Sequence, residues 1–257
     1  MFESFVKSVF RMFGFDICRR TSSFPNNPFD AQKSLLKDLG ITEPVIFDIG
    51  AHRGETMKEY RSRFPESMIY CFEPFPDSLE SLKKRFSNDP NTKIISSAVA
   101  DKSGQRTFYI NEIDATNSLL PVATTSRRYL PGQGVIKAII QAGVTSIDEF
   151  VQTYSVNTIH VLKMDIQGGE LMALKGSVET LQKNQIPLIY TEIMFIPHYE
   201  KQPLFYEIWH FLNQFGYTLF DFYRLRRATN GQLRLGEALF VNPDVRRMVI
   251  DRYPEEP

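Results

Sequence analysis

The sequence predicts a Rossmann-like α/β fold, with a mostly parallel central sheet, an antiparallel strand pair at its C-terminal end and extra helices at the N-terminus. Three observations predict it. From Pro44 onward, short apolar runs alternate with longer stretches of helical spacing, the pattern of βαβ units. The first of these runs, VIFDIG, passes through a glycine-bearing turn straight into a helix. The last two runs, YTLFDFY and EALFVN, are joined by a tight return that folds the final strand back on its neighbour.

The totals set the frame. A chain of 257 residues with 42% hydrophobic content is long enough for one substantial core. We divide it into an N-terminal helical extension, 1–43, and one domain, 44–257. Lys+Arg and Asp+Glu both number 30, so no whole-molecule field gathers nucleic acid, and we expect no nucleic-acid partner. Cys18 and Cys71 form no C-x-x-C pair, and Cys71 falls within the apolar run MIYCF, which reads as buried thiols in a reducing cytosol. No stretch of about 18 apolar residues offers a membrane span. Glu3, Lys7 and Arg11 interrupt the opening residues, unlike a signal-peptide core, so the expected location is cytoplasmic.

In chain order, Phe2, Phe5, Val6, Val9, Phe10 and Phe13 recur at helical spacing around Lys7 and Arg11, predicting an amphipathic helix. Its apolar face needs a cover: the domain, a second subunit or a membrane surface. Residues 21–28 (TSSFPNNP) read as a loop, and a second amphipathic helix runs to about Leu39, ended by Gly40. Then come VIFDIG, a helix to about Phe64, MIYCFEP, a helix to about Phe86, and KIISSAVA. A β-ribbon is expected at 106–111, followed by a polar stretch, 112–134, without clear periodicity. A segment of that kind is commonly functional, and it is the candidate acceptor-site segment. A short helix at 146–154, the strand HVLKMD, a helix over 170–181, the strand PLIYTEI and a helix over 204–215 precede the closing strand pair.

Chemistry concentrates at strand ends. The first strand runs into Asp48-Ile49-Gly50-Ala51-His52-Arg53-Gly54. Glycines allow close backbone approach to a ligand, and a helix N-terminus favours a negative group. His52 occupies the place where a dinucleotide fingerprint needs its second glycine, and Asp48 suits a ligand carrying a cationic amine better than a diphosphate. The second strand ends in Phe72-Glu73-Pro74, where an acid can accept both ribose hydroxyls; the alternative is that Glu73 only caps the following helix. Ser97 to Asp101 offers small residues, Ala98 and Ala100, and an acid, Asp101, that suit an adenine. LKMDIQGGELMALKG delivers Lys163 and Asp165 to a strand end, with Glu170 opening a helix.

VIFDIGAHRGET, YCFEPFPDSLESL, SSAVAD, LKMDIQGGELMALKG and LIYTEI stand in the order and spacing of the FkbM methyltransferases, which the chain resembles over roughly 41–242. The resemblance implies a class I methyltransferase fold and methyl transfer from S-adenosylmethionine to a hydroxyl of a sugar, glycan or polyketide-like product. By position it implies that Asp48, Gly50, Ala51, His52 and Gly54 form the cofactor loop. Glu73 with Pro74 would be the ribose site, Ala98, Ala100 and Asp101 the adenine region, and Asp165 a neighbour of the methionine moiety. The family usually has Asn at position 52 and often Glu at 167, where this chain has His52 and Gln167.

An aliphatic hydroxyl needs a base to take its proton. The candidates are Glu192 at a strand end, His198 in the loop beyond it, and Asp165. Glu192 reads equally as an ion partner of Lys163, and His198 as a surface-loop histidine. No Cys/His cluster or calcium-loop pattern appears, so no metal is expected. The rival reading is a non-catalytic nucleotide-binding module or a nicotinamide-linked oxidoreductase; the missing second glycine weighs against the latter.

Overall fold

The computed structural model describes residues 12, 24–124 and 135–252. The expected helix at Phe2 to Phe13, Cys18 and positions 125–134 of the acceptor-site segment lie outside the described residues, Met12 excepted.

Seven strands form the central sheet: β1 (Val45–Ile49), β2 (Met68–Phe72), β3 (Thr92–Ile95), β7 (Val161–Met164), β8 (Leu188–Met194), β9 (Thr218–Arg227) and β10 (Leu233–Val241). Their order is β3-β2-β1-β7-β8-β10-β9. The first five are parallel, and β10 lies antiparallel to both β8 and β9. The chain order reverses between β1 and β7, so their carboxyl ends open a crevice there.

Apolar side chains cover both faces. Phe29, Leu35 and Leu36 of helix Pro28–Asp38 and Met57 and Tyr60 of helix Glu55–Arg63 pack on one face. Phe150, Leu174, Leu181, Ile208 and Leu212 fill the other. Helix Pro28–Asp38 starts where the Asn27 side chain accepts the Phe29 and Asp30 N–H groups, and Gly40 takes φ +76° just beyond its end. Cys71 is a buried free thiol in β2, pushed up by that burial.

Several elements depart from the sequence reading. The single helix expected over 170–181 is two, Glu170–Lys175 and Val178–Gln182, parted at Gly176. A Cβ on Gly176 would lie 2.1 Å from the Ala100 carbonyl oxygen, and the Gly176 carbonyl accepts the Asp148 N–H at 2.8 Å, so the backbone is held against neighbours instead of continuing the helix. The ribbon at 106–111 belongs to a separate three-stranded sheet of β4 (Ala98–Val99), β5 (Gly104–Asn111) and β6 (Ile136–Thr145), ordered β4-β6-β5. Strand β6 was not read from the sequence, and KIISSAVA divides between β3 and β4.

Candidate active site

The turn after β1 is built by its hydrogen bonds. The Gly50 and Ala51 N–H groups both donate to the Phe72 carbonyl, at 3.0 and 3.2 Å, which draws the turn over the end of β2. Gly50 has φ +78°, and a Cβ there would sit 2.0 Å from the Asp165 carbonyl oxygen. Only glycine meets both demands. His52 is also left-handed, at φ +48°, and its N–H donates to Glu73 Oε2 at 2.9 Å. Glu73 Oε1 accepts the Phe75 N–H at 2.8 Å. One carboxylate thus fixes the turns after β1 and β2 together. Burial pushes the Glu73 carboxyl up, opposed by these two backbone donors.

A cavity opens above this turn at the carboxyl ends of β1, β2 and β7. Among the sequence-predicted residues, Gly50, Ala51, His52, Glu73, Pro74, Ala98 and Asp165 lie on its wall. Phe72, Val99, Phe108 and Leu119 add an apolar side suited to a flat aromatic ring, and Asp165 and Glu55 add acids suited to an amine.

Four of the residues predicted for the cofactor lie off that wall, as do the predicted bases Glu192 and His198. Asp48 has no exposure and is paired with Lys163, Nζ to Oδ1 at 2.8 Å; Lys163 also donates to the Gly50 carbonyl at 3.1 Å. Asp48 therefore supports the turn from beneath, and burial raises its carboxyl against the pull of Lys163. Gly54 precedes helix Glu55–Arg63 at φ +84°, and a Cβ there would strike the Phe86 ring at 2.5 Å, a packing requirement. Ala100 packs against Gly176, donating its N–H to the Thr145 carbonyl at 3.0 Å. Asp101 pairs with Arg106 at 2.5 Å.

The segment after β5 supplies wall residues that motif reading missed: Asp114, Ala115, Asn117 and Leu119. Asp114 bridges Arg53 at 2.5 Å and His52 Nε2 at 3.3 Å. Burial works against its charge, yet His52 and Arg53 hold the carboxyl below the usual range. No local pattern marks Asp114, because the partners that bring it to the cavity, His52 and Arg53, lie far back in the chain, in the turn after β1.

On the β8 side, Gln167 Nε2 lies 2.9 Å from Asp165 Oδ1 and 3.0 Å from Glu192 Oε2. Asp165 and Glu192 therefore share one amide, although Glu192 lies within β8, two residues before its end, and off the cavity wall. The Glu192–Lys163 pair is not formed, since Lys163 is engaged by Asp48. Burial, reinforced by Asp165 and Glu170, pushes the Glu192 carboxyl well up. His198 is no surface histidine: it is 3% exposed and off the cavity wall, and burial and then Arg234 lower its imidazole to about 4. Among the described residues no group of three or more His, Cys, Asp or Glu could hold a metal ion, and no helix is long and apolar enough to cross a membrane.

A family model described as the methyltransferase FkbM domain matches residues 48–219. The chain is 23% identical over 183 residues to the 2-O-methyltransferase NoeI of Sinorhizobium fredii, covering 69% of this chain and 74% of that protein. It is 29% identical over 149 residues to the hexuronic acid methyltransferase AglP of Haloferax volcanii, covering 58% of this chain and 56% of AglP. Among solved structures, a methyltransferase FkbM from Methylobacillus flagellatus shares the fold, with a TM-score of 0.50 and 15% identity. That match covers 78% of this chain and 44% of the other, so the chain spans less than half of that protein.

Proposed function

Since the chain belongs to the FkbM methyltransferase family, we propose that it carries methyl from S-adenosylmethionine to a hydroxyl of a sugar or glycan. The observation that carries this reading is Glu73: each of its oxygens takes one backbone N–H, and its carboxylate lines the cavity at the end of β2, where it suits a ribose diol. The apolar wall of Phe72, Ala98, Val99, Phe108 and Leu119 fits an adenine, and Asp165 fits the amino end of the methionine part. When bound, S-adenosylmethionine supplies a methyl group already activated by its sulfonium.

The residues of the chain then have two tasks, alignment of the acceptor oxygen behind that carbon and removal of its proton. Glu192 is the group we assign to the proton. It shares the Gln167 amide with Asp165, which lines the cavity, and its raised affinity for protons makes it a better base than an ordinary carboxylate. His198 is the weaker candidate, because an imidazole held near 4 and buried takes up a proton poorly. Sugar acceptors are favoured because NoeI and AglP are named for 2-O-methylation and hexuronic acid methylation. We place the enzyme in the cytoplasm with a small-molecule or glycan acceptor; the N-terminal segment is a candidate contact for a membrane surface or a second copy.

A thermal-shift comparison of S-adenosylmethionine, S-adenosylhomocysteine and NAD tests the donor, since a ligand of the native state raises apparent stability. Stabilisation by the first two alone is expected; a response only to NAD overturns the reading in favour of a nicotinamide-linked enzyme. Mass spectrometry of a glycan panel for the gain of one methyl then tests the acceptor class.

A further inference from the structure

Gln167 is hydrogen-bonded to the end of β7, to β8, to the loop after β8 and to the segment after β5. Its backbone is left-handed, at φ +55°, followed by Gly168 at φ +97°, so the chain reverses directly after Asp165 and turns the amide back across the sheet edge. The amide nitrogen reaches Asp165 and Glu192, and its Oε1 lies 2.8 Å from the Tyr199 hydroxyl. The Gln167 carbonyl accepts the Ser118 hydroxyl at 2.8 Å, and Tyr199 also lies 2.9 Å from the Thr116 carbonyl. The amide orientation follows from the partners. Turned over, it would set its oxygen against two carboxylates and leave its hydrogens facing a hydroxyl.

We propose that Gln167 is a positioning residue for methyl transfer, holding Glu192 beside Asp165 as a hydrogen-bond acceptor and tying both to Tyr199 and the 112–124 segment. This rests on the assignment of Glu192 made above. The groups that face Glu192 are Asp165 from the β7 end, Glu170 from helix Glu170–Lys175, Glu237 from β10, Lys163 from β7 and Tyr199 from the loop after β8. Lys163 is the one cation among them, and Asp48 engages it. Two carboxylates so placed share a proton readily unless a donor stands between them. An amide supplies one hydrogen to each and no charge of its own. A glutamate at 167 has no hydrogen to donate when ionised and only one when protonated, so it could serve one of the two carboxylates at most, and the glutamine keeps Glu192 free of its proton at lower pH than a glutamate would.

The test is a titration that needs no methyl acceptor. In protein labelled with glutamate carrying ¹³C at Cδ, the Glu192 resonance is assigned by its loss in Glu192→Gln and followed against pH. Gln167→Ala should move its midpoint upward by about one to two pH units, the size expected for losing one charge-assisted hydrogen bond. Gln167→Glu should move it at least as far. A midpoint unchanged in both folded variants overturns the proposal, because a merely structural glutamine would lower stability without moving the titration. If neither variant folds, Tyr199→Phe carries the test: loss of the hydroxyl that orients the amide should shift the midpoint the same way, and an unchanged midpoint overturns the proposal. An error in the choice of Glu192 as base, by contrast, appears in rates of Glu192→Gln and leaves this titration as predicted.

Discussion

Lys163 and Asp48 face each other across the β1–β7 ladder as a buried ion pair, Nζ to Oδ1 at 2.8 Å, with side-chain exposures of 6% and 0%. Because Lys163 also donates to the Gly50 carbonyl, the pair connects the sheet core to the turn that forms the cavity floor. Removing one partner leaves the other charged and out of water, which costs about 3–5 kcal/mol. Lys163→Met should lower stability by that amount in urea unfolding. The double variant Asp48→Asn/Lys163→Met should recover much of it. A double variant as unstable as the sum of the two single changes would show that the pair is not coupled.

Glu73 has two duties that different measurements separate. Glu73→Ala leaves the His52 and Phe75 N–H groups without their acceptor, so the melting temperature should fall. It also removes the proposed ribose ligand, and S-adenosylhomocysteine affinity should fall by about 1.5–3 kcal/mol, the range for hydrogen bonds to a charged group. Calorimetry that finds full affinity in a folded Glu73→Ala protein would leave Glu73 with the turn-fixing duty alone.

The contrast between these residues explains what was legible in the sequence. Strands β1, β2, β7 and β8 read clearly because both of their faces are buried, which makes them nearly continuous apolar runs between turn residues. Gly50, Glu73 and Asp165 stood out because strand ends of an open parallel sheet converge on one crevice whatever the rest of the chain does. The burial of Asp48 on Lys163 was not legible, because an acid ahead of a glycine turn looks the same whether it meets a ligand or a lysine from another strand. Strand β6 escaped notice for another reason. Ile136 and Ile139 are exposed, and its partner β5 lies beyond the 112–135 segment, so neither periodicity nor a short hairpin turn announces it. Asp114 reaches the cavity only through tertiary contacts with Arg53 and His52.

Glu170 should make stability depend on pH in a definite direction. It is 3% exposed and its Oε1 accepts the Ile166 N–H at 3.0 Å. Burial, aided by Asp165 and opposed by backbone donors, raises its carboxyl from 4.5 to about 7. Between those values the folded protein keeps a proton that the unfolded chain has released, so this contribution is full below 4.5 and is lost as pH rises through 7. The span corresponds to about 3 kcal/mol at most. Glu170→Gln keeps an acceptor for Ile166 without a titrating proton, so urea unfolding between pH 5 and pH 8 should show a flatter profile and a gain over the parent at the alkaline end. An unchanged slope would mean that Glu170 does not titrate in this window.

The assignment of the base turns on where Glu192 and His198 lie relative to Asp165. Glu192 joins Asp165 through the Gln167 amide, whereas His198 is buried, its backbone N–H donating to Gln202 Oε1 and its carbonyl accepting the Ala123 N–H. Asp165 lines the cavity and should act on the bound donor, so Asp165→Asn should weaken S-adenosylhomocysteine binding. Glu192→Gln keeps the shape and the contact with Gln167 while losing basicity. It should bind S-adenosylhomocysteine as the parent does and transfer methyl about 10²–10⁴-fold more slowly, the range for losing general-base help. His198→Ala should leave the rate of the chemical step within a few-fold of the parent, with its effect confined to stability, because it opens space in a packed loop. Single-turnover rates over a pH series with a responding acceptor decide between them. In the parent the rate should rise with pH as Glu192 loses its proton, and in Glu192→Gln that rise should vanish. If the rise persists in Glu192→Gln and disappears in His198→Ala, the base is His198; if both variants keep full rates, acceptor activation relies on neither side chain.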